Sequence, residues 1–344
     1  MHGTIHLFDQ LPVAPLPPTG ADGCAPAPVR AVPLVGVIRN QRSHRNAGGA
    51  VPAISAAATL LVEAPTKRGD LLDILRRFAE ARIDYLVVDG GDGTVRDVLT
   101  CGTAVFGGAA WPRLILLPAG KTNALAADLS LPREWSLDTA LAAGAAGRGV
   151  VRRPMLVAEA DNPQARVVGF ALGAGLYTQA IALGQRAHRH GAFNSVVVVV
   201  TALWTVLQAL FGSAGNPFRR PTAMRLADSA GRALPHAPGV REGERFMLFA
   251  STLRRFPGGV RPFHRLGGTL RLAIVDRARA GVLLRIPLAM AGLLGGGAPR
   301  RGYHLLGGQD FALELGEHFI LDGEAFPPGR YRLGLGPALF FVTP

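Results

Sequence analysis

Lysine is nearly missing from this chain of 344 residues. Lys67 and Lys121 are the only two, so of 37 basic side chains almost all are arginine, and they carry a formal charge of +13. A balance this basic attracts polyanions, whether nucleic acid, an anionic membrane surface or a phosphorylated substrate, without choosing among them. Aromatic residues are few, at 7%, and the arginines are scattered rather than interleaved with a stacking platform. Together with the lack of a zinc-ligating cysteine set, this argues against nucleic acid as a partner. The two cysteines, Cys24 and Cys101, allow neither a disulfide framework nor a thiolate metal site. The first residues lack the charged stretch and apolar core of a secretion signal, and a reducing cytoplasm is the expected setting. Long apolar runs are also wanting. Val196 to Phe211 (VVVVVTALWTVLQALF) falls short of the roughly 20 residues of a spanning helix and is interrupted by Thr201, Thr205 and Gln208. With Arg186, Arg189, Arg219 and Arg220 around it, it reads as a buried or interfacial helix.

What is present suffices for two domains, each with its own core. Residues 1–31 carry Pro12, Pro15, Pro17, Pro18, Pro26 and Pro28 among Ala and Gly, a composition that buries too little apolar surface to order itself, and read as a flexible leader. From residue 32 to 149 the pattern is that of a layered α/β domain. Leu34 to Ile38, Tyr85 to Val88 and Leu114 to Leu117 are short apolar runs of buried strands. Between the first two, Leu71, Leu72, Ile74, Leu75 and Phe78 recur at helical spacing, with Asp70 as the expected cap. Helices are also expected over Thr94 to Thr100 and Asn123 to Leu129. From 150 to 344, short β-like runs such as Val167 to Leu172, Phe246 to Leu253 and Thr269 to Val275 alternate with Gly, Pro and Arg turns, which predicts a β-rich second domain. No repeat of 20 to 50 residues occurs.

Two turns carry the chemistry. Gly90-Gly91-Asp92-Gly93-Thr94 follows one buried strand and precedes a helix, a place where N–H groups converge and side-chain-free backbone lets phosphates come close. Asp92 could order a metal-bound water or accept a proton, and the Thr94 hydroxyl could bond phosphate or cap the helix. Taken alone the segment is equally a tight turn with a cap. The second turn, Pro118-Ala119-Gly120-Lys121-Thr122-Asn123, follows the next strand. Both turns therefore lie at one edge of one parallel sheet and can face one ligand. Asp322-Gly323-Glu324, after the strand-like Phe319 to Leu321, is by itself more often a solvated turn than a catalytic pair. His188 and His190 have no Asp, Glu or Cys spaced beside them and read as surface histidines rather than metal ligands.

In these residues the chain resembles the diacylglycerol kinase catalytic domain family, which includes sphingosine and ceramide kinases and bacterial lipid kinases. Gly90 to Thr94 resembles its GGDGT signature and Leu117 to Asn123 its P-x-G-T-x-N turn. Asn40 resembles the Asn ending its first strand, Thr66 its threonine before the first long helix, and Asp322-Gly323-Glu324 its late DGE element. The likeness runs from about Leu34 to Val342. It implies an α/β nucleotide domain related to NAD kinase and phosphofructokinase, followed by a β-sandwich that helps form the lipid site. It also implies ATP and magnesium. Carried over by position, Asn40, Thr66, Gly90, Gly91, Asp92, Gly93, Thr94, Gly120, Lys121, Thr122 and Asn123 would contact nucleotide. Asp92 would serve the metal, and Asp92, Asp322 and Glu324 the metal positioning and activation of the acceptor.

The sequence also departs from that family. Lys121 stands where Thr is usual, Ala124 where Asp is frequent, and Asn40-Gln41-Arg42-Ser43 replaces Asn-Pro-x-Ser-Gly. Gly267-Gly268 replaces the Asp-Gly before Leu270. The expected activity is transfer of the ATP γ-phosphoryl group to a hydroxyl of diacylglycerol, a sphingoid base or ceramide. The apolar stretches after Val196 and over Leu283 to Leu294 would supply greasy surface, and arginines would hold the protein peripherally on the anionic inner membrane face. A homodimer is compatible with this reading. The alternatives are a soluble-substrate kinase of NAD kinase type, which leaves the apolar segment unexplained, and a non-catalytic lipid-binding pseudokinase.

Overall fold

A computed structural model describes residues 28–43, 46, 57–107, 111–120, 122–179, 220–277, 288 and 299–344. The leader before residue 28, Lys121, His188, His190, the apolar segment 196–211 and nearly all of 283–294 lie outside the described residues.

In chain order the first elements are β1 (Leu34–Arg39), β2 (Thr59–Glu63), α1 (Arg68–Glu80), β3 (Tyr85–Gly90), α2 (Asp92–Phe106), β4 (Arg113–Pro118), α3 (Ala124–Asp128), α4 (Leu137–Ala145) and β5 (Gly149–Arg152). There follow β6 (Met155–Glu159), β7 (Arg166–Gly169), β8 (Ala171–Gly175), β9 (Thr222–Asp228), β10 (Glu244–Arg245), β11 (Met247–Ser251) and β12 (Leu270–Val275). The chain ends on β13 (Tyr303–Gly308), β14 (Phe311–Leu315), β15 (Phe319–Leu321), β16 (Glu324–Phe326), β17 (Gly329–Leu335) and β18 (Leu339–Val342).

Strands β2, β1, β3 and β4 lie side by side and parallel. Such strands are covered on both faces, which explains the unbroken apolar run Leu86-Val87-Val88 in β3. Val88 faces one core with Leu75, Phe78 and Leu99, while Val87 faces another with Ile115, Leu137 and Leu141. Two antiparallel six-stranded sheets, β10-β9-β14-β17-β6-β7 and β13-β12-β11-β8-β15-β16, contribute to one further core that includes Met155, Leu172, Leu226, Leu248, Leu272, Phe319 and Leu333. β9 and β14 alternate buried and exposed residues along their length, as strands with one solvated face do.

The structure differs from the sequence-based expectation in four places. The chain does not divide cleanly at residue 150, because β18 returns to the first sheet and inserts between β4 and β5. Phe341 is fully buried beside Leu114. A short apolar run has the same pattern in either sheet, so periodicity cannot assign it. β2 was not expected, since its Thr59-Leu60-Leu61-Val62-Glu63 is a partly exposed edge strand with weak alternation. α2 begins at Asp92 rather than Thr94, so Asp92 belongs to the helix. Asp70 is the third residue of α1 and reaches back to accept the Lys67 N–H at 3.2 Å, rather than standing as the cap itself.

Two contacts tie the first sheet's helices to the later strands. The Thr100 hydroxyl of α2 accepts the Val168 N–H of β7 at 3.2 Å. The fully buried carboxylate of Asp128, at the end of α3, accepts Arg152 Nε at 2.6 Å and the N–H groups of Arg254 and Arg255 at 2.7 and 2.9 Å.

Candidate active site

The carboxyl ends of β1, β3 and β4 carry the site. Asn40, directly after β1, donates from Nδ2 to the Thr94 hydroxyl at 2.8 Å, and its Oδ1 accepts the Arg42 N–H at 2.9 Å. The loop is fixed by Asn46, which donates to Asp89 Oδ1 at 2.8 Å and to the carbonyls of Asn40 and Asp89, both at 3.2 Å. Burial raises the Asp89 carboxyl above its usual range, against the pull of Asn46 and Arg39. Asn40, Thr66 and Thr94 line one cavity of about 270 Å³, with Arg39, Arg42, Lys67, Arg68 and Asp97 also on its wall. Three of the residues expected to contact nucleotide are thus brought together, in a basic setting suited to phosphates.

The glycine turns meet each other. A Cβ on Gly120 would stand 2.6 Å from the Gly91 Cα and 2.8 Å from Asn123 Oδ1. A Cβ on Gly91 would stand 3.0 Å from the Gly120 Cα. Glycine at these two positions is a packing requirement between the turns. Asn123 adopts a left-handed conformation (φ 49°), which Asn tolerates better than most residues. Its side chain closes the turn by donating to the Gly120 carbonyl at 2.7 Å and accepting the Gly120 N–H at 2.9 Å. Thr122 is exposed. Gly90 packs so tightly under the Thr94 side chain that a Cβ would lie 2.6 Å from it.

Asp92 lies on the first turn of α2, and its carboxylate accepts the N–H groups of Ala124 (3.0 Å) and Leu125 (3.4 Å) at the start of α3. Burial raises its pKa above the usual carboxylate value, opposed by these backbone bonds. Asp322 follows β15 with φ 46° and accepts the N–H groups of Phe170 at 3.0 Å and Ala171 at 2.9 Å. Its carboxyl is pushed up to about 7 by burial first and by the neighbouring Asp92 charge second, with Arg96 and the two amides pulling down. The pair suggested by the sequence was Asp322 with Glu324, whereas Asp322 feels the charge of Asp92. Tyr177 shares their surroundings: burial, then Asp322 and Asp92, push its phenol up to about 12. Nothing in its sequence neighbourhood singled it out.

Glu324 turns elsewhere. Its carboxylate receives Arg96 Nη2 in a close ion pair and lies 3.4 Å from Arg68 Nη2. Arg68 and Arg96 both bind Asp97, at 2.9 and 2.8 Å. These three partners were not anticipated, although Arg96 stands one helical turn after Asp92 and shares its face of α2. Among the described residues no three carboxylates, imidazoles or thiols converge on a common point, and no helix is long and apolar enough to cross a membrane.

Two glycine turns at one edge of a parallel sheet, at the carboxyl ends of its strands, are an arrangement whose backbone can admit phosphates. Residues 36–153 match the model of the diacylglycerol kinase catalytic domain, and the resemblance first read from the GGDGT turn holds. The fold is similar over most of the chain to solved structures from Bacillus anthracis str. Sterne. Two are of a candidate diacylglycerol kinase, at TM-scores of 0.59 and 0.60, and a third is of a protein given as a diacylglycerol kinase, at 0.60. Each is 16% identical, with 92% of this chain and 98% of that chain covered. None of the curated proteins matches.

Proposed function

We propose that the protein is an ATP-dependent lipid kinase, which transfers the γ-phosphoryl group to a hydroxyl of diacylglycerol or of a sphingoid or ceramide lipid. The observation that carries this reading is the meeting of the Asn40–Thr66–Thr94 cavity and the touching Gly91 and Gly120 turns at one sheet edge, with Asp322, from the β15–β16 turn of another sheet, near enough to feel the Asp92 charge. The catalytic domain match over residues 36–153 supports it.

In this reading Asn40, Thr66 and Thr94 hold nucleotide polar groups, and the backbone of Gly90 to Thr94 and Gly120 to Asn123 admits the phosphates. Lys121, in the second turn, would add a point charge toward them. Asp322, held near neutrality and coupled to Asp92, is suited to accept the proton of the attacking hydroxyl. The two adjacent carboxylates, each disfavouring the other's charge, fit a magnesium ion that takes one or two carboxylates and completes its shell with water and phosphate. Bound there, magnesium would neutralise the charge on the transferring phosphoryl group. We read the two antiparallel sheets as a β-sandwich that helps shape the acceptor site. Arginine-rich surface would hold the protein peripherally on anionic lipid at the cytoplasmic membrane face, with homodimerisation compatible.

The test is incubation of purified protein with labelled ATP, magnesium and a panel of diacylglycerol, ceramide, sphingosine and NAD. Label in a lipid supports the proposal. Label in NAD alone replaces it with a soluble-substrate kinase, and label in none removes the catalytic reading.

A further inference from the structure

Arg96 is 2% exposed, and every direction of its guanidinium is used. Nη1 donates to the Leu321 carbonyl at 3.3 Å, and Nη2 pairs with Glu324. Nε and Nη2 reach Asp97 Oδ1 at 3.1 and 2.8 Å, and the plane lies 5.9 Å from the centre of the Phe326 ring. Leu321 and Glu324 flank Asp322 and Gly323, so a single side chain of α2 holds both ends of the turn that carries the acceptor carboxylate. Asp322 (φ 46°) and Gly323 (φ 82°), both left-handed, form the two-residue loop between the paired Leu321 and Glu324, a turn that Asp-Gly adopts readily, so what Arg96 fixes is where this hairpin end stands against α2 rather than the shape of the turn.

The grip continues toward the nucleotide. Arg68 and Asp97 line the cavity that contains Asn40, Thr66 and Thr94. Arg68 bonds Asp97 through Nε and Nη2, and approaches both Glu324 oxygens at 3.4 and 3.5 Å. A buried arginine so completely paired contrasts with Arg166, 1% exposed, whose three guanidinium nitrogens have no hydrogen-bond partner among the described residues. Burying a guanidinium is unfavourable unless its partners are well placed, and Arg96 has carboxylate, carbonyl and ring together.

We propose that Arg96 is a positioning residue for the phosphoryl acceptor site: through Leu321 and Glu324 it fixes the Asp322 turn, and through Asp97 and Arg68 it joins that turn to the nucleotide cavity. Glu324 then acts by holding Arg96 rather than by touching the substrate. This rests on the lipid kinase reading for its catalytic consequence, but not for its structural one.

The experiment compares wild type with Arg96→Met, Arg96→Lys, Glu324→Gln and the Arg96→Met/Glu324→Gln double variant. Hydrogen exchange of residues 320–326 is measured in the nucleotide-free protein. Binding of a fluorescent ATP analogue and steady-state kcat and KM are measured alongside. Arg96→Met should raise exchange in the turn roughly tenfold while β3 stays protected, and should lower kcat by about tenfold or more with analogue affinity within about twofold. The double variant should fall no further than the worse single variant, as residues acting as one unit do. Arg96→Lys, whose ammonium cannot span both ends of the turn, should keep the melting temperature but not kcat. Unchanged exchange, multiplicative effects in the double variant, or a fall in nucleotide affinity in step with kcat would each overturn the proposal. If Arg96→Met does not fold, the Arg96→Lys and Glu324→Gln pair decides the same points. If wild type phosphorylates no lipid, the proposed function falls, and the exchange arm alone decides whether Arg96 holds the turn.

Discussion

The carboxylate of Asp92 accepts the backbone N–H of Ala124 at 3.0 Å, so the acidic residue of the first glycine turn caps the helix that follows the second. One side chain thus ties the two turns together. It has a structural role as well as the catalytic one proposed for it, and two substitutions separate them. Asp92→Asn keeps an oxygen for the Ala124 N–H and should stay close to wild type in melting temperature, while kcat falls by more than about tenfold. Asp92→Ala removes the cap too and should lose about 1 kcal/mol of stability in addition. If folded Asp92→Asn retains more than roughly a tenth of wild-type kcat, Asp92 is a capping residue only.

Gly120→Ala tests the contact between the turns. The new methyl would meet the Gly91 Cα and Asn123 Oδ1, both under 3 Å away; the first is backbone, and the second is held in place by the bonds of the Asn123 side chain to the Gly120 backbone. The turns must separate, which moves backbone N–H groups away from the phosphates. Titration with a fluorescent ATP analogue should show affinity reduced by about tenfold or more, with circular dichroism unchanged. Gly231→Ala is a control for left-handed strain alone, since it has φ 76° and open space around its Cβ. It should lower stability slightly and leave nucleotide binding intact.

Much of this site was legible in the sequence because it is local. The strand, glycine turn and helix pattern placed Gly90 to Thr94 and Gly120 to Asn123 at one sheet edge, and Asn40 bonds Thr94 as that topology requires. Glu324 shows the limit. Its position beside Asp322 suggested a shared role, yet adjacent turn residues can point to opposite partners, and this one pairs with Arg96, 228 positions away. Arg96 itself reads as an ordinary polar residue of a helix, since its burial depends on a strand that arrives at the other end of the chain. The return of β18 to the first sheet was hidden for the same reason.

Asp322 makes the stability of the protein depend on pH in a stated direction. Its folded carboxyl is pushed up to about 7, above the roughly 3.9 of an unfolded Asp. Between those two values the folded state holds the proton that the unfolded chain has lost. Stability from this group is therefore full below the unfolded value and declines as pH rises through 7. Asp322→Asn has no charge to bury and should melt higher than wild type at pH 8, by a margin that shrinks toward pH 4. Melting temperatures over that range check it, and a variant less stable than wild type at pH 8 would show that the carboxylate's bonds to Phe170 and Ala171 outweigh its burial.

Asp276 should act with the opposite sign. It is wholly buried, with Arg245 Nη1 at 2.6 Å, His304 Nε2 at 2.7 Å and the Ala237 N–H at 2.7 Å. Burial alone would raise its pKa, but the His304 bond, the Ala237 amide and the Arg245 charge together hold it below the usual carboxylate range. A group depressed in this way stabilises the fold fully above its unfolded value of about 3.9, and the contribution is lost as pH falls through the lower folded value. Asp276→Asn leaves the Arg245 charge buried without its counter-ion, a change that costs about 3–5 kcal/mol in comparable buried pairs. The difference between variant and wild type should be largest near neutrality and narrow as acid protonates Asp276 in the wild type. Urea midpoints measured from pH 7 down to pH 3 read this directly. Two curves that stay parallel across the range would mean that Asp276 contributes through shape rather than charge, and the ion pair with Arg245 would then carry none of the stability assigned to it.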